Sequence, residues 1–250
     1  MPILRGLQKS GTILHLTAMV AVGSAVPASF AAGQDSTPRR AEYRITWKRV
    51  APLGGVIVGA SFADHLLRAW TQAHHSSFRD QISSVGNRLG EPVYVLPALA
   101  LILGASKLAG ADGISRTAFQ AGTTVAVAGS VALAAKFVVG RARPIPSKGD
   151  VDEFQPFSAS DRFASFPSGH TTVAFALATS LADRVNDKWA SLALYAGATL
   201  TAFARLNDDR HWLSDVVAGA MVGHLTARAL DRGRLGIRPR PGGIGVSLEF

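Results

Sequence analysis

The sequence predicts an all-α protein, a bundle of about six helices. Two observations carry this. Past residue 50, apolar runs recur with short polar connections, and no period-two alternation appears before the C-terminal GIGVSLEF. The composition sets the scale. A chain of 250 residues, 48% hydrophobic and 17% charged, suffices for one sizeable domain and is too apolar to stay disordered.

The elements follow in order. Arg5 and Lys9 precede the apolar stretch TILHLTAMVAVGSAV, and Ser29 and Ala31 flank Phe30 in PASFAAGQ. This is the layout of a secretory signal over residues 1–31, with an uncleaved anchor as the alternative. Residues 32–50, with Gly, Pro and charges but no apolar period, predict a mobile leader. APLGGVIVGASFADHLLRAW is helical but carries Asp64, His65 and Arg68, which makes it a poor membrane span. PVYVLPALALILGAS and TAFQAGTTVAVAGSVALAA are uncharged. Three further helices start near Ser168, Trp189 and Trp212. The helical domain covers 51–232. Residues 233–250 are a basic tail, because one terminal strand would have nothing to pair with.

A membrane span needs about 20 apolar residues, and the run from Thr117 comes nearest. Terminal Lys and Arg can snorkel to the interface. If the signal segment crosses first and the Asp64 helix does not, loop 140–168 and residues 205–212 face outside, with the Arg-rich tail in the cytoplasm. Embedding in the inner membrane with an exterior or periplasmic site is the leading expectation, and a soluble exported helical protein is the alternative.

The net charge is +9. Nucleic-acid binding is disfavoured, since no basic helix with interleaved aromatics is present. A phosphate substrate or an anionic lipid surface explains the balance equally well. The absence of cysteine excludes thiol catalysis, disulfides and Cys-based zinc sites.

Charge concentrates at three helix junctions. In KFVVGRARP, Lys136 and Arg143 are seven residues apart, so both can lie along one helical face about 10 Å apart in rise. Pro144 disfavours helix at Arg143 and lets its side chain turn toward a ligand. In FPSGHTT, Ser168 is a favoured N-cap and Gly169 admits a close ligand. Free amides at a helix start form an anion site, with His170 in the first turn. In RLNDDRHWLSD, His211 and Asp215 are spaced i, i+4 and predict a shared helix face. A carboxylate on one ring nitrogen leaves the other as nucleophile or base. Arg205 brings a bidentate guanidinium. Each cluster alone is matched by a bland reading of capped helix ends and solvated pairs. Together they make a phosphoryl-transfer inventory without a metal. A zinc site on the two His and the Asp is opposed by the nearby cations.

KFVVGRARP, PSGH and RLNDDRHWLSD resemble, in order, the K-x6-RP, PSGH and R-x5-H-x3-D signatures of the type 2 phosphatidic acid phosphatase and vanadium haloperoxidase superfamily. The resemblance spans roughly residues 60–230. One position departs: Ala204 stands where the family usually has Ser, removing one phosphate hydrogen bond. The resemblance implies an active site at one end of the bundle. It implies that His211 attacks phosphorus with Asp215 orienting its ring, and that His170 protonates the leaving group and later activates water. Lys136, Arg143, Arg205 and the amides of Ser168 and Gly169 then hold the phosphate. The expected substrate is a phosphorylated lipid or pyrophosphate, or a small phosphomonoester, with no cofactor and no metal. The alternatives are a soluble exported acid phosphatase, a vanadate-holding haloperoxidase, and a non-catalytic lipid-binding protein. The polar loop IPSKGDVDEFQPFSASDRFAS is the expected determinant of specificity at the mouth.

Overall fold

The structure, a computed structural model, describes residues 47–231 and two strands beyond them, 235–240 and 243–248. The readings of residues 1–31 as a signal or anchor and of most of the leader lie outside the described residues. Seven α-helices are described: α1 Trp47–Ala73, α2 Ser77–Gly90, α3 Pro92–Leu108, α4 Asp112–Val139, α5 Gly169–Val185, α6 Lys188–Asn207 and α7 Leu213–Asp231. The expected all-α bundle is present, with one helix more than the apolar pattern suggests.

The extra helix is α2, SFRDQISSVGNRLG. Ser76 caps it, accepting from the Arg79 amide at 3.3 Å. It packs through glycine. A Cβ on Gly86 would stand 2.5 Å from the Leu200 carbonyl oxygen of α6. The Gly86 carbonyl accepts from Thr201 Oγ1 at 2.7 Å. The helix does carry an apolar stripe at helical spacing, Phe78, Ile82, Val85 and Leu89, but it has no long apolar run, and a reading based on such runs passes over it.

The C-terminal segment is a second difference. It was expected as an unpaired tail, but Leu235–Arg240 pairs antiparallel with Gly243–Leu248 as β1 and β2. The partner strand is its own neighbour in sequence, and the Pro and Arg residues within LGIRPR hid it.

α5 packs against α4, α6 and α7, and α7 also packs against α1 and α4. The buried apolar residues are mostly alanine, including Ala118, Ala121, Ala128, Ala132, Ala174, Ala176, Ala178, Ala198 and Ala218. Large apolar side chains point outward: Phe62 and Leu66 on α1, Leu101 and Leu108 on α3, Leu133 on α4, and Trp189 and Leu192 on α6. α4 is long and apolar enough to cross a membrane, and only 22% of its most apolar window is buried in the bundle. α2 and α3 pass the same test together, bent by 51°.

Two features set the site end of the bundle. α4 stops at Gly140, which takes φ 59° and donates its amide to the Lys136 carbonyl at 2.8 Å. This is the left-handed helix stop that glycine adopts without steric cost. The second is the approach of α7 to α5 at Gly219, where a Cβ would stand 2.5 Å from the Ser168 carbonyl oxygen.

Candidate active site

Lys136 sits on the last turn of α4. Its Nζ donates to the Ala164 carbonyl at 2.5 Å and the Ser165 carbonyl at 3.4 Å. Its Cε lies 3.6 Å from where a Cβ on Gly169 would stand, so the ammonium reaches the start of α5. The expectation that Arg143 shares a helical face with Lys136 is corrected, because α4 ends four residues before it. Arg143 lies in the following loop. It donates to the Asp161 carbonyl and carboxylate at 3.0 and 2.8 Å and to the Arg210 carbonyl at 3.5 Å. Loop bonds, not helix periodicity, aim it.

Arg205 is buried on the last turn of α6 and donates to Asn87 Oδ1 of α2 at 2.7 Å. Asn87 also donates to Asp208 Oδ2 at 2.6 Å. Ala204 beside it is fully buried.

Ser168 stands at the N-cap position of α5 and is fully buried, but its hydroxyl accepts from Thr171 Oγ1 at 3.0 Å and makes no cap bond. Its amide was expected to face the phosphate. That is corrected: it donates to the Asp215 carbonyl at 2.9 Å. The amides of Gly169 and His170 open the helix, where no earlier carbonyl is in register to accept them. His170 Nε2 lies 2.7 Å from Glu91 Oε2, at the break between α2 and α3.

His211 and Asp215 were expected on one helix face. α7 begins at Leu213, so His211 lies just ahead of the helix. Its Nδ1 is 3.6 Å from Asp215 Oδ2 and 3.5 Å from Ser165 Oγ. Asp215 is fully buried. Its Oδ2 accepts from Ser165 Oγ at 2.6 Å and from the Trp212 amide at 2.9 Å, and its Oδ1 accepts from Arg141 at 2.9 Å.

The clusters converge. Burial first, then the charges of Lys136, Arg143, Arg205 and His170, hold the His211 imidazole well below its ordinary pKa. Its ring is therefore neutral at neutral pH, as a nucleophilic nitrogen must be. Three basic side chains thus act on one uncharged imidazole beside a helix start, a set of groups of the kind that stabilises a phosphate-sized anion.

Sequence reasoning missed Asp64, Arg141, Glu91, Asn87 and Ser165 as parts of this site. Asp64 gave a signal, a carboxylate in an otherwise apolar helix, which served only to argue against a span. An open cavity of about 380 Å³ beside the site is lined by Asp80, Ser84, Asn87, Arg88, Glu91, Tyr94 and Asp208. None of these comes from the loop expected to form the mouth.

Known proteins can be set against this geometry. A model of the PAP2 superfamily matches residues 117–233. Two relatives named lipid A 1-phosphatase are those of Porphyromonas gingivalis, 37% identical over 103 residues, and Rhizobium etli, 36% identical over 105 residues. Each match covers 40% of this chain, but 20% of the first relative and 43% of the second. The chain thus spans less than half the length of either. Two solved structures share the fold. Aquifex aeolicus LpxE has a TM-score of 0.52 at 20% identity, covering 65% of this chain and 90% of that one. The first transmembrane PAP2 type phosphatidylglycerolphosphate phosphatase from Bacillus subtilis has a TM-score of 0.55 at 18% identity, covering 75% and 98%. The three motifs all fall within residues 136–215, and the segment from α4 to α7 that holds them matches the PAP2 superfamily.

Proposed function

We propose that the protein is a membrane-embedded phosphatase that removes phosphate from a phosphorylated lipid. The observation that carries this is the pocket in which Lys136, Arg143 and Arg205 surround the neutral His211. The relatives named lipid A 1-phosphatase favour a glycolipid phosphate as substrate, and the open cavity lined by α2 and α3 gives a polar headgroup a place beside the cations.

The chemistry follows from the side chains. The three cations neutralise the phosphate oxygens and stabilise the charge that spreads over them in transfer. His211 Nε2 attacks phosphorus, with Asp215 and Ser165 on the Nδ1 side fixing the ring. The ester P–O bond breaks, and His170 gives its proton to the leaving alkoxide. Glu91 is an acceptor for the protonated His170 ring. In the second step the neutral His170 takes a proton from water, water attacks phosphorus, the P–N bond breaks and phosphate departs. The positive surroundings oppose a divalent cation, so the reaction runs without one.

Embedding is supported by the packing. Small residues inside and large apolar residues outside suit a bundle whose outer solvent is lipid, where close helix approach holds helices together. The signal-like N-terminus and basic tail support a site on the non-cytoplasmic side, and labelling of a cysteine placed at residue 155 tests this.

The deciding experiment measures phosphate release from lipid A, phosphatidate, phosphatidylglycerol phosphate, an isoprenyl pyrophosphate and p-nitrophenyl phosphate, with and without chelator and with vanadate. Release from a lipid, unaffected by chelator and blocked by vanadate, is expected. Activity lost in chelator and restored by a divalent ion overturns the metal-free reading, and release from none of the esters overturns the phosphatase.

A further inference from the structure

Behind Asp215, away from the pocket, lies a buried charged network reaching into α1, in which both Nη atoms of Arg141 are bonded and its Nε has no partner among the described residues. Asp64 is buried, and both of its oxygens are occupied. Its Oδ1 accepts from the Ser214 amide at 2.8 Å. Its Oδ2 accepts from Ser214 Oγ at 2.6 Å and from Arg141 Nη2 at 2.8 Å. The other end of the same guanidinium, Nη1, donates to Asp215 Oδ1 at 2.9 Å and to Ser214 Oγ at 2.7 Å. The guanidinium also lies 5.3 Å from the centre of the Trp212 ring and 5.7 Å from that of Phe154. Arg141 is thus fixed between two fully buried carboxylates, one of which faces His211.

We propose that Asp64 is a positioning residue for the candidate nucleophile, acting through Arg141 to set the orientation and charge of Asp215. Asp64 lies outside the matched family segment of residues 117–233. The inference rests on the phosphohistidine reading above. The argument is one of geometry. A planar guanidinium held at one end by Asp64 presents its other end at a fixed angle. Asp215 Oδ1 is taken by that end, so Oδ2 is the oxygen left on the His211 side. Ser214 acts as a spacer: its hydroxyl donates to Asp64 and accepts from Arg141, and its amide donates to Asp64, so the residue next to Asp215 is pinned by the same carboxylate. Sharing Arg141 between two carboxylates also leaves Asp215 with part of the cation's charge and not all of it. That keeps it a better acceptor for the His211 ring. A tether between α1 and α7 would need the pair but not this connection to the residue behind the nucleophile.

The distinction can be measured. Asp64→Asn keeps the shape but leaves one oxygen for two acceptor positions, so its NH2 must face either the Ser214 amide or Arg141. The experiment is a double-mutant cycle of Asp64→Asn and Asp215→Asn on phosphate release from phosphatidate in detergent micelles. Active sites are counted by labelling with a radioactive phosphate ester, quenched in alkaline denaturant because a P–N bond is lost in acid. We expect Asp64→Asn to lower kcat per active site about 10-fold or more with KM unchanged. In the Asp215→Asn background, the same change should have an effect of less than about 2-fold, because residues acting through one another are not additive. Arg141→Lys, which keeps charge but cannot bridge two carboxylates, should reproduce the pattern and serves where Asp64→Asn yields no folded protein. Full additivity, or a normal rate per site with fewer folded sites, overturns the inference and leaves a structural tether. A wild-type enzyme that releases phosphate but traps no label on histidine overturns the phosphohistidine reading, and the positioning role with it. Additivity with labelled wild type overturns the positioning role alone.

Discussion

Replacing Gly219 by alanine tests whether the close approach of α7 to the start of α5 sets the reacting geometry. The new Cβ would lie 2.5 Å from the Ser168 carbonyl oxygen, where ordinary contact begins at 3.4 Å, so the helices must part by about 0.9 Å. The same Cβ meets Thr172 Oγ1 at 3.2 Å, so tilting toward that side gives no relief. Ser168 is bonded through its amide to the Asp215 carbonyl, and the displacement therefore reaches the carboxylate behind His211. A misplacement of about 1 Å in reacting groups can cost about 100-fold in rate, or about 2.7 kcal/mol of barrier. The stability cost is smaller. Overpacking costs about 1–3 kcal/mol, partly offset by the roughly 1 kcal/mol that alanine gains over glycine within a helix. The assay compares kcat for phosphatidate with thermal unfolding in detergent, using Gly122→Ala as control, since nothing lies within 4 Å of its added methyl. Gly122→Ala should keep full activity and unfold at a slightly higher temperature. Wild-type kcat in Gly219→Ala would refute the reasoning, because the pocket would then not depend on this contact.

Three further outcomes are expected. Gly140→Ala, which puts a side chain at φ 59° and against the Gln155 main chain, should destabilise the protein by about 2–5 kcal/mol, measured by thermal unfolding. His211 is held neutral by burial and then by its cationic neighbours. Its folded pKa lies below the unfolded one, so the unfolded chain takes up a proton first and stability is lost as pH falls below about 6.5. His211→Gln should remove this share of the acid destabilisation, up to about 1.4 kcal/mol per pH unit, and identical pH slopes for the two proteins would count against it. Labelling with an activated phosphate ester should trap no phosphohistidine in His211→Ala. His170→Ala should still form some with a good leaving group but stall in turnover, and normal turnover there would reassign the acid.

The sequence made the site residues legible and their scaffolding only in part. Lys136, Arg143, His170, Arg205, His211 and Asp215 stand out because charge is scarce in this chain and gathers at helix junctions. The starts of α5, α6 and α7 could be read from the caps and apolar runs around them. What stayed hidden has physical reasons. α2 is short and mostly polar, so its apolar stripe of Phe78, Ile82, Val85 and Leu89 does not form the long apolar run by which the other helices were read. The helical register for Lys136 and Arg143 failed because Gly140 stops α4 between them. Likewise, His211 and Asp215 have helical spacing without sharing a helix. Asp64 and Arg141 meet only after α1 folds across the end of α7, and no spacing along the chain encodes that meeting. The hairpin of β1 and β2 was missed because only one of its strands was read as a strand.

The bond from the Ser168 amide to the Asp215 carbonyl has a consequence for how such proteins can be recombined. The second and third motifs are welded main chain to main chain, and Gly219 leaves no side chain between them to absorb a mismatch. They must be exchanged between homologues as one block. Arg205, by contrast, is steadied by Asn87 of α2, and His170 by Glu91 at its end. These are side-chain contacts from a helix outside the block, and that helix also lines the neighbouring cavity. A chimera that takes α2 and the start of α3 from another protein of the same fold changes the cavity wall while leaving the welded block intact. On the proposed function, the architecture separates the block that holds the reacting groups from a wall that can be exchanged without touching them.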